Sequence, residues 1–407
     1  MTSPVQRQTP GNDFLTPAQL KALTPQHVID RMRALQPALL EGAAEAEAQR
    51  RPLDALWNEI RASGYFYMWV PKKFGGLEAS VDEVIDATLP IAEGCASTAW
   101  LASFGLVHNR HQALASEQFQ EEIFGGGRYG IVAAATMPPG KAVRTDGGYL
   151  VSGRWQWSTL CVQADWIQAV AVVDGPDGPI GGSFLLPASD CEIIDTWNTD
   201  GMCATGTHDA VAKDVFVPEH RAGFVQNRDG KGRGAELYDN PIYRVPLSPL
   251  LAFTTAVPVV GTARGAVNLY KDRLLNHTKR GTAIQERDRQ SSQIRLARAE
   301  TMVSVAEQTV RSAMNENLTG DRLSGDEQVA FRSRLRAQMT FAAQLSRSAV
   351  QTVCESTGTS IHYKTNPLQR ILRDMMVMTS HVIFDDDVTM EQHGRAMLGM
   401  PPNTIIS

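Results

Sequence analysis

Nine histidines are the most adaptable proton-handling groups in the chain, and their spacing decides which chemistry is open to them. None has a Glu three residues before it and no HExxH run is present, so the patterns that gather a metal on a helix are missing and no metal is expected. His108 and His111 are spaced to share a helix face but have no nearby acidic partner, which reads as core or solvated histidine, with His108 kept as a candidate pocket residue. The five cysteines are scattered without a CxxC pair, which argues against a disulfide framework or a zinc site. One formal GxGxxG exists at Gly125, Gly127 and Gly130, but a helical segment precedes it and a strand-like run follows, the reverse of what a pyrophosphate cradle needs. A different cluster is more informative. Trp155, Trp157, Trp166 and Trp197 fall in one stretch together with Ser158, Thr205 and Thr207, and aromatic faces with hydroxyls suit a flat ring ligand. For Trp155 and Trp166 the alternative, that they fill a core, stays open. It does not explain the Thr205-Gly206-Thr207 turn.

The elements that must carry these residues fall into three blocks, expected as domains at 1–127, 128–235 and 236–407. From Thr24 to about Phe124 the pattern is helical, with Thr24 as cap ahead of Pro25 and a capping box of Ser80 and Glu83. Between about Tyr129 and Phe224, short β-rich runs are separated by PPG, DGG and DGPDGP turn signals, which predicts a compact antiparallel sandwich or barrel. A polar, Gly-rich connection from Asn227 to Gly234 leads to four long helical patterns at Ser248 to Leu275, Ile284 to Leu318, Asp326 to Ser356 and Pro367 to Leu398. Ser324 and Glu327 read as a second capping box, and the four helices as a bundle. The overall class is therefore α+β and multidomain.

With 43% hydrophobic residues among 407, a net charge of −5 and a pI near 6.0, the chain can bury a large core and has no field to attract nucleic acid or anionic lipid. No run of 18 or more apolar residues and no signal-peptide core is present, so the expectation is a cytoplasmic protein without membrane contact.

Within the β block, GGYLVSGRWQWSTLCVQADW followed by WNTDGMCATGTHDAVAKDVFVPEHR resembles the middle domain of the acyl-CoA dehydrogenase superfamily. VPKKFGGLEAS (70–80) and SIHYKTNPLQRILRDMMVMTSH (360–381) are similar to it as well, so the resemblance spans nearly the whole chain. It implies that superfamily's fold: helical N-terminal domain, β middle domain and C-terminal four-helix bundle. The Y-E-G-T loop holding the carboxylate base of many acyl-CoA dehydrogenases is absent, and MVMTSHVIFDDDVTMEQHGRAMLG (376–399) instead resembles the two-component flavin monooxygenases that act on phenols and related rings.

That subgroup resemblance implies the oxygenase component of a two-component system. It takes FADH2 or FMNH2 from a separate NAD(P)H-flavin reductase and, with O2, forms a C4a-hydroperoxyflavin that hydroxylates a small aromatic substrate, in a homotetramer. It also implies site residues: His381 as catalytic base on the last long helix and Ser158 as hydrogen-bond donor, with Thr159 as the alternative register. Trp157, Thr159, His108 and Arg264 are implied for the substrate and flavin pocket, and Trp155, Ser158, Thr205, Gly206, Thr207, Arg370 and Arg373 for flavin binding. Arg264 reads equally as an ion-pair residue, His208 as a satisfied turn histidine, and Asp385, Asp386 and Asp387 as capping and solvated groups. N- or S-oxygenation, and a dehydrogenase or oxidase with tightly bound FAD, remain as alternatives.

Overall fold

The computed structural model describes Val5, Arg7 and residues 14–175, 178–223, 232–278 and 283–404, so most of the expected 227–234 connection and part of the DGPDGP turn lie outside the described residues. Six helices come first: α1 Pro17–Ala22, α2 Pro25–Gln49, α3 Asp54–Ala62, α4 Val81–Gly94, α5 Ala96–Gln112 and α6 Glu117–Phe124. Thr24 caps α2 through the His27 amide, and Ser80 with Glu83 forms the expected reciprocal box on α4. Gly125 to Gly130 stands between α6 and the first strand, helix before strand.

Among the described residues seven strands follow, β1 Val132–Thr145, β2 Gly148–Trp155, β3 Trp166–Gly175, β4 Gly178–Pro187, β5 Glu192–Ile194, β6 Asp209–Pro218 and β7 Ala222–Gly223. They form one hydrogen-bonded sheet in the order β5-β6-β2-β1-β3-β4-β7. The expectation of a wholly antiparallel arrangement is corrected at its centre, where β1 and β3 run parallel, Val132 opposite Trp166. β2 and the turn after it act as the crossover that a parallel pair requires. Trp155 is fully buried in this sheet, its Nε1 donating to the Val170 carbonyl at 2.8 Å. A Cβ on Gly140 or Gly153 would sit 2.6 or 2.8 Å from its ring, so both glycines exist to admit the indole.

After α7 Arg233–Leu237 come α8 Leu247–Asn276, α9 Gln290–Asn317, α10 Gly325–Ser356, α11 Pro367–Thr379 and α12 Asp386–Met397. Helix α8 is long and apolar enough to cross a membrane, but 89% of its most apolar stretch is buried inside the protein, as the central helix of a bundle requires. Its Gly261 lets it approach α4 closely, since a Cβ there would lie 2.5 Å from that of Ala92. Two expectations change in this region. Ser324 makes no side-chain cap on α10, and α9 begins at Gln290 rather than Ile284, after a short 3-10 turn at Glu286–Asp288.

The third change bears on function. The expected helix from Pro367 to Leu398 breaks between Thr379 and Asp386. There the His381 side chain caps a 3-10 turn, Val382–Phe384, by accepting from the Ile383 amide. Arg336 of α10 takes the Ile383 and Val382 carbonyls at 3.1 and 3.4 Å, and Asp385 caps α12 through the Val388 amide. Polar side chains and backbone amides thus share the capping of the interrupted helix, the Ser380 and His381 amides donating to the Val377 and Met378 carbonyls.

Candidate active site

Helix α5 is the wall on which the candidate residues converge. Trp100, Phe104 and His108 stand four residues apart and so share one face. Their ring centroids follow one another at 5.3 and 5.6 Å, with His111 5.9 Å beyond His108. The His381 ring meets Trp100 edge-on at 5.6 Å, while a turn earlier Ser97 Oγ touches Met202 Sδ at 3.8 Å. One helix therefore joins the turn that carries Thr205 and Thr207, the break that carries His381, and the start of β1.

Of the histidines along this wall, His108 and His381 are neutral and of opposite polarity. His108 Nδ1 lies 2.6 Å from the Val132 carbonyl, which can only accept, so Nδ1 carries the proton and Nε2 presents a lone pair. His381 Nδ1 accepts the Ile383 amide at 3.3 Å, which assigns its proton to Nε2 and makes the free nitrogen a donor. Burial pushes His108 down to about 4 against the opposing Val132 hydrogen bond. Burial, and secondarily the Arg336 charge, brings His381 down to about 4 as well. Both stay uncharged at neutral pH. The amide contact at Nδ1 leaves Nε2 of His381 as the protonated nitrogen, so in this tautomer the residue expected as the base presents a donor.

Ser158 follows strand β2 and is tied to the His208 strand end. Trp157 adopts a left-handed φ of 55°, which turns the chain so that the Trp157 ring is 68% exposed and Ser158 is fully buried. The Ser158 amide donates to the His208 carbonyl at 2.8 Å, yet its Oγ has no hydrogen-bond partner among the described residues. Thr159, the alternative register, is half-buried, with its amide bonded to the Trp157 carbonyl. Across the His208 strand end, Thr207 Oγ1 donates to Thr205 Oγ1 at 2.9 Å and Thr205 Oγ1 donates to the Met202 carbonyl at 2.8 Å, with Gly206 left-handed between them at φ 53°. His208 is held within the same turn, its Nδ1 accepting the Thr196 and Trp197 amides.

Other candidates are placed elsewhere. Trp155 belongs to the sheet interior, so its assignment to flavin binding is corrected to core packing, and Trp157 turns outward to the surface of the single chain. Arg264 is forked between Glu93 and Glu307 at 3.2 and 3.0 Å, tying α8 to α4 and α9. Arg373 pairs with Glu47 of α2 at 2.6 Å and donates to the Asp200 carbonyl, and Arg370 is buried one turn before Asp374. The sequence reading did not single out Met202 or Asp374, and reached Trp100 and Phe104 only as the surroundings of His108 in WLASFGLVHNRH. The i, i+4 spacing of Trp100, Phe104 and His108 was the available signal for the wall; Asp374 had none.

A family model described as "Acyl-CoA dehydrogenase, C-terminal domain" matches residues 253–386. The chain is 33% identical over 383 residues to a pigment production hydroxylase of Rhodococcus sp. strain ATCC 21145, covering 93% of this chain and 98% of that one. It is 32% identical to the oxygenase subunit HsaA of a flavin-dependent monooxygenase from Rhodococcus jostii strain RHA1, over 92% of this chain and 98% of that one. The chain belongs to the flavin-dependent monooxygenases of the acyl-CoA dehydrogenase fold. A solved structure of XiaF from Streptomyces sp. in complex with FADH2 and glycerol superposes with a TM-score of 0.85 at 27% identity, covering 95% of this chain and 98% of that one.

The residues of this oxygenase fit a bound flavin. A buried hydroxyl left without a partner costs about 1 to 3 kcal/mol and persists where a ligand completes it. Ser158 Oγ is such a group, next to the Thr205–Thr207 turn.

Proposed function

We propose that this oxygenase hydroxylates a small phenolic or indolic ring, with FADH2 or FMNH2 delivered by a separate NAD(P)H-flavin reductase. A Rhizobium relative that is 29% identical is named a FADH2-dependent resorcinol hydroxylase, oxygenase component, which supports both the substrate class and the separate flavin supply. Bound reduced flavin supplies the electrons by which one atom of O2 enters a ring carbon and the other leaves as water. Ser158 Oγ holds the flavin by the hydrogen bond it otherwise lacks, and Thr205 and Thr207 present their hydroxyls from the adjoining turn.

The observation that carries this reading is the pair of neutral histidines of opposite polarity on one aromatic wall. Trp100 and Phe104 exclude water and offer ring faces to the substrate. His108 Nε2 accepts the hydroxyl or indole proton. Because His108 is pushed down to about 4, it is too weak to ionise a resting phenol, and takes the proton only as attack on the ring makes that hydroxyl strongly acidic. His381 Nε2–H donates toward the oxygen being transferred.

The test supplies FADH2 and FMNH2 anaerobically, admits isotopically labelled O2, and measures label in product over a panel of phenols and indoles. One labelled oxygen per product is expected. His108→Asn and His381→Ala should each lower product per reduced flavin by about a hundredfold, with hydrogen peroxide released instead. Unlabelled product, or unchanged coupling in both variants, would refute the reading. We further propose a homotetramer assembled through the C-terminal helices, where Phe341, Met376, Val382, Met397 and Leu398 are exposed on the single chain.

A further inference from the structure

Met202 is the most over-determined residue near the site. It is buried in a left-handed conformation, φ 54° and ψ 25°, which a β-carbon makes unfavourable by about 1 to 2 kcal/mol. Its carbonyl accepts from Trp197 Nε1 at 3.0 Å, from the Thr205 amide at 3.0 Å and from Thr205 Oγ1 at 2.8 Å. Its amide donates to Asp374 Oδ1 of helix α11 at 2.5 Å. Asp374 is 6% exposed, so this bond forms away from water. The contact is close along its length: a Cβ on Gly201 would lie 2.3 Å from the Arg373 carbonyl, and Arg373 itself is anchored to Glu47 and the Asp200 carbonyl.

We infer that Asp374 is a positioning residue for reduced flavin: its carboxylate holds Met202 in the left-handed conformation and thereby fixes where Thr205 and Thr207 stand. Strained backbone persists only where its surroundings dictate it, and clusters at ligand sites. Here the fixing group comes from the C-terminal helices while the hydroxyls belong to the sheet segment, so the latch also sets the spacing between the two. The charged and titratable groups that face Asp374 are Arg370 and Arg373 on its own helix, Glu47 from α2, Cys203 from the turn and Cys95 at the start of α5. The inference rests on the reading that the Thr205–Thr207 turn faces the flavin.

The experiment measures the dissociation constants of FADH2 and FMNH2 by anaerobic titration of the full-length protein, alongside thermal unfolding. Asp374→Ala removes the acceptor and should weaken flavin binding about tenfold or more, the effect of losing a buried hydrogen bond to a charged group. Asp374→Asn keeps an oxygen in place for the Met202 amide and should bind within about twofold of the parent protein. Asp374→Ser, whose hydroxyl falls short of the amide, should behave as Asp374→Ala and serves if the alanine variant does not fold. Thr207→Val tests the turn directly. Unchanged affinity in the alanine or serine variant, with weakened affinity in Thr207→Val, overturns the latch alone. Unchanged affinity in all of them overturns the turn's role as well. Equal weakening in Asp374→Asn and Asp374→Ala would also overturn the inference, because charge and not geometry would then be what matters.

Discussion

His108 gives the sharpest test of the proposed proton-accepting role, because its neutral state leaves a signature in folding that does not depend on turnover. The free imidazole titrates near 6.5, and burial lowers His108 to about 4 in the folded protein. As pH falls through 6.5 the unfolded chain binds the proton first, while the native state resists until about 4. The stability that this group provides above pH 6.5 is therefore lost between about pH 6.5 and 4. A gap of about 2.5 units at 1.36 kcal/mol each sets a ceiling of about 3.4 kcal/mol, of which about 2 kcal/mol has gone by pH 4.5. His108→Asn removes the titration but keeps an amide nitrogen that can donate to the Val132 carbonyl, as Nδ1 does. Urea unfolding followed by tryptophan fluorescence at pH 7 and 4.5 should show the variant losing about 2 kcal/mol less on acidification. Equal losses in the two proteins would mean that His108 titrates in the native state as it does in the unfolded chain, and a steeper loss in the variant that its native pKa is raised; either result would refute the depressed, buried state assigned to it.

Ser158→Ala should leave the melting temperature unchanged or raise it, since it deletes a buried hydroxyl without a partner, while weakening reduced-flavin binding about tenfold in an anaerobic titration. Arg264→Ala should leave product per reduced flavin within about twofold of the parent and destabilise by less than about 1 kcal/mol, because its ion pairs are partly exposed; a collapse of coupling would return Arg264 to the site. Trp155→Ala should destabilise by about 3 to 5 kcal/mol in chemical denaturation, as expected of an indole packed between Gly140 and Gly153; a shift below about 1 kcal/mol would contradict its placement in the sheet core.

Local signals made much of the fold legible. Thr24 with Pro25 and Ser80 with Glu83 announce helix starts through hydrogen bonds made within four residues, and α8 and α10 fall within a residue of their expected bounds. What escaped depends on partners far along the chain. The apolar spacing of Met375, Met378 and Ile383 runs through the break after Thr379 as if one helix continued, and the clamp that ends it comes from Arg336, 47 residues away from the Ile383 carbonyl it holds. The parallel pairing of β1 with β3 likewise has no local mark, because either strand direction presents the same alternation to the sheet.

The site divides in the same way. The family resemblance pointed to a hydroxyl after the paired tryptophans and to His381 as candidates, but not to which way each group faces. Trp155 and Trp157 differ by two residues and would share a strand face, yet the left-handed turn at Trp157 separates them into core and surface and sends Ser158 inward. The two histidines show the same limit more clearly. Each is a neutral imidazole capped by one backbone group, and the difference in tautomer follows from whether that group is a carbonyl, as at Val132, or an amide, as at Ile383. A carbonyl forces the proton onto the bonded nitrogen and leaves the other as an acceptor, whereas an amide forces it onto the other nitrogen and leaves that one a donor. Tertiary structure alone decides which backbone atom is present. The chain therefore obtains an acceptor and a donor from two copies of one residue type by placing them at opposite ends of a single aromatic helix face.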